Sequence, residues 1–458
     1  MPPETTGRGL LLSASNDIAP SLAPAVHAEA PADWAKRRQG MRLDLSVMAA
    51  VLLQGMVWGA LVHFFKTRRI WYGFFDVSDI GVYENYARLF SEGRHPYAGV
   101  NFEYPPLAAP LMSLPKWLPS VVDYASVFAT EMALFCMLAA AFATAAGVRL
   151  SRGWGRPVAT AVAFALITVF AGPIVGNRFD IAVGLDMAVF LYFMARQSWW
   201  KAAAALGVGF ALKLTPAMFL PLVLIMAATP RRMVAAAAAF ALTAVAPFVP
   251  HLLRSSRGWL YVFSYHTGRP LQIESLYATP YLVAHVLAGQ RVVIGNSHGS
   301  QSLIATGAQT LASVSMWLMA ASIGALYLLI WRRRRHLRGS PSDVTLAALG
   351  LVLAFVCTSK VLSPQFLIWT FPFVALVATA PGASRRVAGV AILGAVLLTQ
   401  IGFPSRYWDL VALRSTPIFL LAARNLILLA TWVMVIVLIW RRPRRAPSSA
   451  APWFPPEP

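Results

Sequence analysis

The sequence predicts an all-α, polytopic transmembrane helical bundle. Three observations carry that expectation: 58% of the 458 residues are apolar, only 12% are charged, and mean hydropathy is +0.61. A soluble core of this size needs far less apolar sequence. Apolar windows of about 20 residues, the rise needed to cross the hydrocarbon, recur along the chain. Lipid requires the backbone to satisfy its own hydrogen bonds, so the spans are helical.

In order, the windows are 45–65, 122–148, 157–176, 180–195, 234–253, 310–331, 345–362, 365–380, 387–402 and 417–440. Basic clusters separate them: Lys36 to Arg38, Arg149, Arg152 and Arg156, Arg196 with Lys201, Arg231-Arg232, Arg332 to Arg335, Arg385-Arg386 and Arg441 to Arg445. The positive-inside rule places all seven in the cytoplasm. They agree only if 202–226, broken by Lys213, Pro216 and Pro221, is a re-entrant pair of half-helices, and if 275–290 starts and ends outside. Ten crossings result, with both termini cytoplasmic. Lys66, Arg68 and Arg69 then violate the rule locally. Residues 1–40 read as a disordered cytoplasmic tail, with Leu10 to Leu12 too short for a signal-peptide core, and 441–458 as a second tail. Residues 41–440 form the membrane domain. The net charge of +21 comes from these turn clusters, so it marks topology rather than nucleic-acid binding. Cys136 and Cys357 both fall in apolar windows and read as packing residues.

Mixed polar residues collect on the other face. The first outer segment holds Asp76, Ser78, Asp79, Tyr83, Glu103 and Tyr104; later loops hold Arg178 and Asp180, the run Tyr265 to Ser275, Ser359 to Gln365, and Ser405 to Asp409. Carboxylates, a histidine and several cations together suit a substrate that carries an anionic group and a hydroxyl to be deprotonated. Asp76 and Asp79, spaced i, i+3, share a face if helical. Either is a general base, or they are a helix N-cap and a solvated acid. Glu103-Tyr104-Pro105-Pro106 reads first as a helix start, with Glu103 able to line a pocket. His266 and Arg269, beside Gln272 and Glu274, offer a phosphate a point charge and a bidentate fork, or else touch lipid headgroups. Arg178 with Asp180 reads as a rim ion pair, and Lys360 and Gln365 sit at a turn between spans. Within the bilayer, Glu131, Asp186 and Lys213 cost about 2.5 to 3.5 kcal/mol each near the centre, and Asp186 paired with Lys213 offsets that.

The segments Ser78-Asp79-Ile80-Gly81-Val82-Tyr83, Gly93-x-x-Pro96-Tyr97 and Glu103 to Leu107 resemble those of glycosyltransferase family 87. Lys213 to Pro216, His266 to Ser275 and Lys360 to Gln365 extend the resemblance across about 45–440. It implies the glycosyltransferase C fold and an inverting transfer from a polyprenyl-phosphate sugar, such as polyprenyl-phosphate-mannose, to a lipid or glycan acceptor at the extracytoplasmic face. Asp79 matches the family's base, with Asp76 beside it. His266, Arg269, Lys360 and Arg406 are implied for the departing phosphate, and Tyr83, Glu103, Tyr104, Arg178, Asp180, Gln272, Glu274 and Gln365 for the sugar pocket. Asp76 and Asp79 do not form an Asp-x-Asp pair, so no cofactor is required by sequence and a divalent metal is left open. Competing readings are a transporter or flippase of a lipid-linked or anionic substrate, which uses half-helices and buried charges too, an O-antigen-type polymerase or ligase, and an arabinofuranosyltransferase of the same family.

Overall fold

In the computed structural model, residues 31–67, 73–117, 122–255 and 257–441 are described. Most of both expected tails, and Arg68 and Arg69, lie outside them. Helix α1 (Pro31–Val62) begins inside the segment assigned to the first tail. It is followed by α2 (Ile80–Ser91), α3 (Ala108–Trp117), α4 (Tyr124–Arg149), α5 (Gly155–Ala171), α6 (Asp180–Ala195), α7 (Trp199–Leu212), α8 (Leu220–Ala227), α9 (Pro230–Val245), α10 (Val249–Arg254), α11 (Tyr261–Gly268) and α12 (Thr279–Ala288). Strands β1 (Val293–Ser297) and β2 (Ser300–Ile304) precede α13 (Ala308–Arg338), α14 (Pro341–Thr358), α15 (Phe371–Ala378), α16 (Ala383–Gly402), α17 (Tyr407–Val411) and α18 (Ser415–Trp440).

Eight of the described helical stretches are long and apolar enough to cross a membrane, and they match eight of the ten windows. The other two windows are shorter elements: α6 has 16 residues, and 365–380 is a 3-10 segment, Pro364–Thr370, running into α15. The chain is a multi-pass membrane protein. Capping explains several starts. Asp123 accepts from the Ser126 amide at 2.9 Å to open α4, and Pro230 follows the Thr229 cap of α9. Segment 202–226 is broken, as its proline content suggests: α7 stops at Leu212, the chain extends at Lys213, and a 3-10 turn at Thr215–Phe219 leads into α8.

Burial sorts the bundle. In α14, 78% of the apolar window is covered by protein, against 17% in the span containing α9 and 22% in α13. Hence α14 is central, packed on α13, α15 and α18, while α9 and α13 present their apolar faces outward. Phe164, Phe190, Phe219, Phe371, Phe373 and Trp369 fill the interior around it. At one end the basic turns lock the helices: Arg42 donates to the carbonyls of Val148 and Ser151 at 2.9 and 2.8 Å, and Asp343 holds Arg385 at 2.6 Å and His336 at 3.0 Å. The ends of α14, α16 and α18 remote from those turns carry the polar loops.

One feature departs from the all-α expectation. Strands β1 and β2 pair antiparallel, Ser297 opposite Ser300, around the two-residue turn His298-Gly299, whose φ values are +51° and +64°. Positive φ at both turn residues matches the twist of a tight hairpin, which glycine and short polar residues tolerate. The hairpin also bonds the chain before α12: Leu303 donates to the Leu271 carbonyl at 2.8 Å, and Ile273 to that of Gln301 at 3.1 Å.

Candidate active site

The loop 73–79 ends at Asp79, the N-cap of α2, but its side chain makes no capping bond. Instead Oδ2 lies 2.9 Å from Arg178 Nε and accepts from the Tyr83 hydroxyl at 3.4 Å. Arg178 is itself fixed: one Nη donates to the Asn177 carbonyl at 3.0 Å and the other to that of Val77 at 2.6 Å, while Asn177 Nδ2 donates to the Phe74 carbonyl at 3.0 Å. Two loops distant in sequence are thereby stitched together under the carboxylate. The Asp79 side chain keeps 33% of its surface open and Arg178 only 5%, so the acid is reachable and the cation backs it.

Asp76 is separate. It precedes α2, is exposed, and accepts from the Gly73 amide at 2.6 Å, so the expectation of one shared helical face fails. The expected Arg178–Asp180 rim pair is also corrected. Both residues are buried, and Asp180 takes Lys213 Nζ at 2.6 Å and Trp369 Nε1 at 2.7 Å. Lys213 lies about as near the rings of Phe179, Trp369 and Phe366, 4.9 to 5.3 Å from their centres, which compensates a partly desolvated cation. It therefore does not pair with Asp186, which is buried against Gly209, where a Cβ would come within 2.0 Å of Oδ2.

Across from Asp79, Glu103 accepts from the Tyr86 hydroxyl, and burial raises its carboxyl above the usual range. Tyr83 and Tyr104 form an aromatic floor with Phe179, at centroid distances of 5.7 and 5.1 Å; burial raises both phenols. Arg269, just after α11, donates to Ser300 Oγ of the hairpin at 2.9 Å and lies 6.0 Å from the Tyr265 ring centre. Its Nε is buried with no partner, and burial lowers its pKa, with Tyr265, Tyr104, Asp79 and Glu103 acting in the opposite direction. Lys360 Nζ donates to the Thr267 carbonyl at 2.7 Å and is lowered by burial and by Arg269.

His266 changes role. Burial, Arg269 and Lys213 push its pKa down to about 4, so at neutral pH it is an uncharged hydrogen-bonding ring, not the point charge expected. Gln272 Nε2 bridges Glu274 Oε2 and Ser363 Oγ, each at 3.2 Å. Burial pushes Glu274 up to about 7, opposed by Arg424 and Arg178. Gln365 is half-buried and Arg406 exposed at the head of α17; neither is joined to the cluster by a hydrogen bond or ion pair. Among the described residues there is no cluster of three or more His, Cys, Asp or Glu arranged for a metal.

Sequence reasoning missed Tyr86, Ser300 and Arg424, and gave Tyr265, at the head of the outer polar run, no role of its own. Arg424 donates to the Glu274 carbonyl at 2.8 Å and is 2% exposed. Its signal was present: an Arg-Asn pair inside an apolar span has to find polar partners within the bundle.

A multi-pass bundle that holds a one-third-open carboxylate on a buried arginine, with the half-buried Arg269 and the buried Lys360 in the neighbouring loops, is an arrangement suited to group transfer. The sequence pattern of glycosyltransferase family 87 matches residues 102–364. A polyprenol-phosphate-mannose-dependent alpha-(1-2)-phosphatidylinositol mannoside mannosyltransferase of Mycobacterium tuberculosis is 30% identical over 349 residues, covering 70% of this chain and 75% of that protein. The Mycolicibacterium smegmatis protein of the same description is 28% identical over 353 residues, covering 71% and 75%. Among solved structures, ArnT from Cupriavidus metallidurans bound to undecaprenyl phosphate aligns with a TM-score of 0.45 and 15% identity, over 85% of this chain and 76% of that one. The chain belongs to glycosyltransferase family 87 and is a membrane glycosyltransferase. The family match begins after Asp79, so the role of that residue rests on its geometry and on the resemblance of the segment around it. The transporter reading falls with the family assignment.

Proposed function

We propose that the protein transfers a mannosyl unit from polyprenyl-phosphate-mannose to a mannoside-bearing lipid or glycan at the extracytoplasmic face, by a single inverting displacement. The carrying observation is Asp79: a carboxylate one-third open, held at 2.9 Å by a buried arginine, and near enough to Arg269 for its charge to act on that guanidinium. The relatives' descriptions, which name a polyprenol-phosphate-mannose donor and a phosphatidylinositol mannoside acceptor, support the sugar and donor.

In this reaction Asp79 takes the proton of an acceptor hydroxyl. The hydroxyl oxygen attacks the anomeric carbon, and the bond from that carbon to the phosphate oxygen breaks, releasing polyprenyl phosphate. Arg269 and Lys360 meet the charge that develops on the phosphate, and neutral His266 donates a hydrogen bond to it. No covalent glycosyl-enzyme is required, unlike a retaining two-carboxylate glycosidase. Orientation follows from the basic turns, which gather at the end of the bundle opposite these loops and belong to the cytoplasm by the positive-inside rule.

The test is transfer of radiolabelled sugar from polyprenyl-phosphate-mannose by purified wild-type and Asp79→Asn protein. Wild type should transfer, and the variant should lose about 10²- to 10⁴-fold while remaining folded. Near wild-type activity in Asp79→Asn would move the base to Glu103. An arabinofuranosyl donor run in parallel decides the sugar.

A further inference from the structure

We propose that the β1–β2 hairpin positions the cation that meets the donor phosphate: Ser300 Oγ fixes the Arg269 guanidinium without neutralising it. The inference rests on the transferase reading above and deepens it by naming the residue that aims Arg269.

The hairpin splints the stretch of chain that carries Arg269, on both sides of it. Before Arg269, the Tyr265 hydroxyl donates to the His298 carbonyl at the hairpin tip at 2.7 Å, and the Tyr265 and His298 rings meet edge to face with centres 5.1 Å apart. After it, the Leu303 amide donates to the Leu271 carbonyl at 2.8 Å and the Ile273 amide to that of Gln301 at 3.1 Å. Lys360 Nζ reaches the same stretch at the Thr267 carbonyl, at 2.7 Å, so both cations proposed for the phosphate are referred to this one docked segment.

Between the docking points, Ser300 takes hold of the side chain. It follows the His298-Gly299 turn, and its hydroxyl donates back across that turn to the Ser297 carbonyl at 3.3 Å. With the O–H committed there, the oxygen is left to accept, and Arg269 Nη2 donates to it at 2.9 Å. Among the described residues this is the only hydrogen bond of that guanidinium, and no carboxylate forms an ion pair with it. Asp79 and Glu103, whose charges act on it, are engaged by Arg178 and Tyr86. A half-buried cation whose Nε is buried without a partner costs stability unless a ligand supplies the missing acceptor. A neutral anchor suits that task. A carboxylate in place of Ser300 would hold the guanidinium as firmly but cancel the charge, whereas a hydroxyl fixes one nitrogen and leaves Nε and the positive charge for a phosphate oxygen.

The experiment measures the affinity of the purified full-length protein in nanodiscs for undecaprenyl phosphate and for uncharged undecaprenol, for wild type, Ser300→Ala, Ser300→Thr and Ser300→Asp. Donor and acceptor KM are measured alongside with polyprenyl-phosphate-mannose and octyl α-mannopyranoside. Ser300→Ala should weaken undecaprenyl phosphate binding and raise donor KM about three- to tenfold, and Ser300→Asp about thirtyfold or more. Ser300→Thr, which keeps the hydroxyl, should stay within about twofold, as should undecaprenol affinity and acceptor KM in every variant. A variant that only loosened the fold would lower kcat through the active fraction and leave donor KM and the preference for the phosphate unchanged. Folded Ser300→Ala with wild-type phosphate affinity would overturn the proposal, and so would equal losses for undecaprenyl phosphate and undecaprenol, which would make the hairpin a wall for the lipid chain. If Ser300→Asp does not fold, the contrast between Ser300→Ala and Ser300→Thr decides. Phosphate affinities that shift as expected in a wild-type background that transfers no mannose would remove the mannosyl reading and leave the anchor standing; a wild type that binds undecaprenyl phosphate no better than undecaprenol overturns both.

Discussion

Replacing Arg178 by lysine tests whether the base must be held or only neutralised. The guanidinium makes one ion pair and two hydrogen bonds at once: Nε lies 2.9 Å from Asp79 Oδ2, and one Nη each donates to the carbonyls of Asn177 and Val77 at 3.0 and 2.6 Å. A lysine keeps the charge but is a point donor on a flexible stem, so it cannot hold both the Val77 loop and the carboxylate in one geometry. Each lost hydrogen bond to a charged group is worth about 1.5 to 3 kcal/mol. If only one such bond is transmitted to the transition state, the rate falls about 10- to 150-fold, and a displacement of about 1 Å in a reacting group costs about 10²-fold. The expected result for Arg178→Lys is therefore a kcat lower by about 10²-fold, with donor KM within about threefold, because Arg269 and Lys360, the cations proposed for the donor phosphate, are untouched. Steady-state transfer assays on detergent-purified protein, with thermal melts as a folding control, measure this. A folded Arg178→Lys enzyme with kcat within about threefold of wild type would refute the claim that this fork positions the base.

Two further outcomes follow from the same geometry. His266 has a folded pKa of about 4, below its ordinary value near 6.5, so the neutral ring is preferred in the folded state and stability is lost as pH falls from about 6.5 through 4. For a half-buried ring, solvent screening leaves about 1 to 2 kcal/mol. Melting curves of wild type should thus decline more steeply between pH 6.5 and 4 than those of His266→Gln, and equal slopes would contradict the assignment. Gly207 in α7 touches α9 so closely that a Cβ would sit 2.1 Å from Thr243 Oγ1 and 2.6 Å from the Phe240 carbonyl. Gly207→Ala should cost about 1 to 3 kcal/mol in thermal unfolding, since backbone as well as side chain has to move; an unchanged melting temperature would show that the two helices are not held at this distance.

What the sequence could show depended on how local its signals are. Hydropathy is summed over a window, so the eight long spans and the break at Lys213 were legible, since each is written in consecutive residues. The hairpin was not. Its strands are five residues each, much of them serine, asparagine and glutamine, and what stabilises them is pairing with each other and bonding to Leu271 and Ile273, far back in the chain. Partner choice failed for a related reason. Asp180 and Asp186 lie on one helix about 120° apart around its axis, so composition could name a carboxylate for Lys213 but not the face turned toward the chain break.

Arg424 shows the converse limit. A charge inside an apolar window announces that it needs a partner, but the partner, the main chain at Glu274, lies 150 residues away in a loop that is itself held by the hairpin. That dependence runs through the whole polar cluster around Glu274. Gln272 and Glu274 keep their places because the chain around them bonds to β2 on one side, to the Lys360 carbonyl on another, and to α18 through Arg424 and Asn425. The loop containing Lys360 and Ser363 follows α14, the most covered of the eight long spans, so that helix supports Lys360 and, through Ser363, the Gln272 amide that meets Glu274. A substitution in α14 that shifts this loop would therefore displace Lys360 and the Gln272–Glu274 pair together, whereas one at Arg424 or Asn425 would release only the Glu274 main chain.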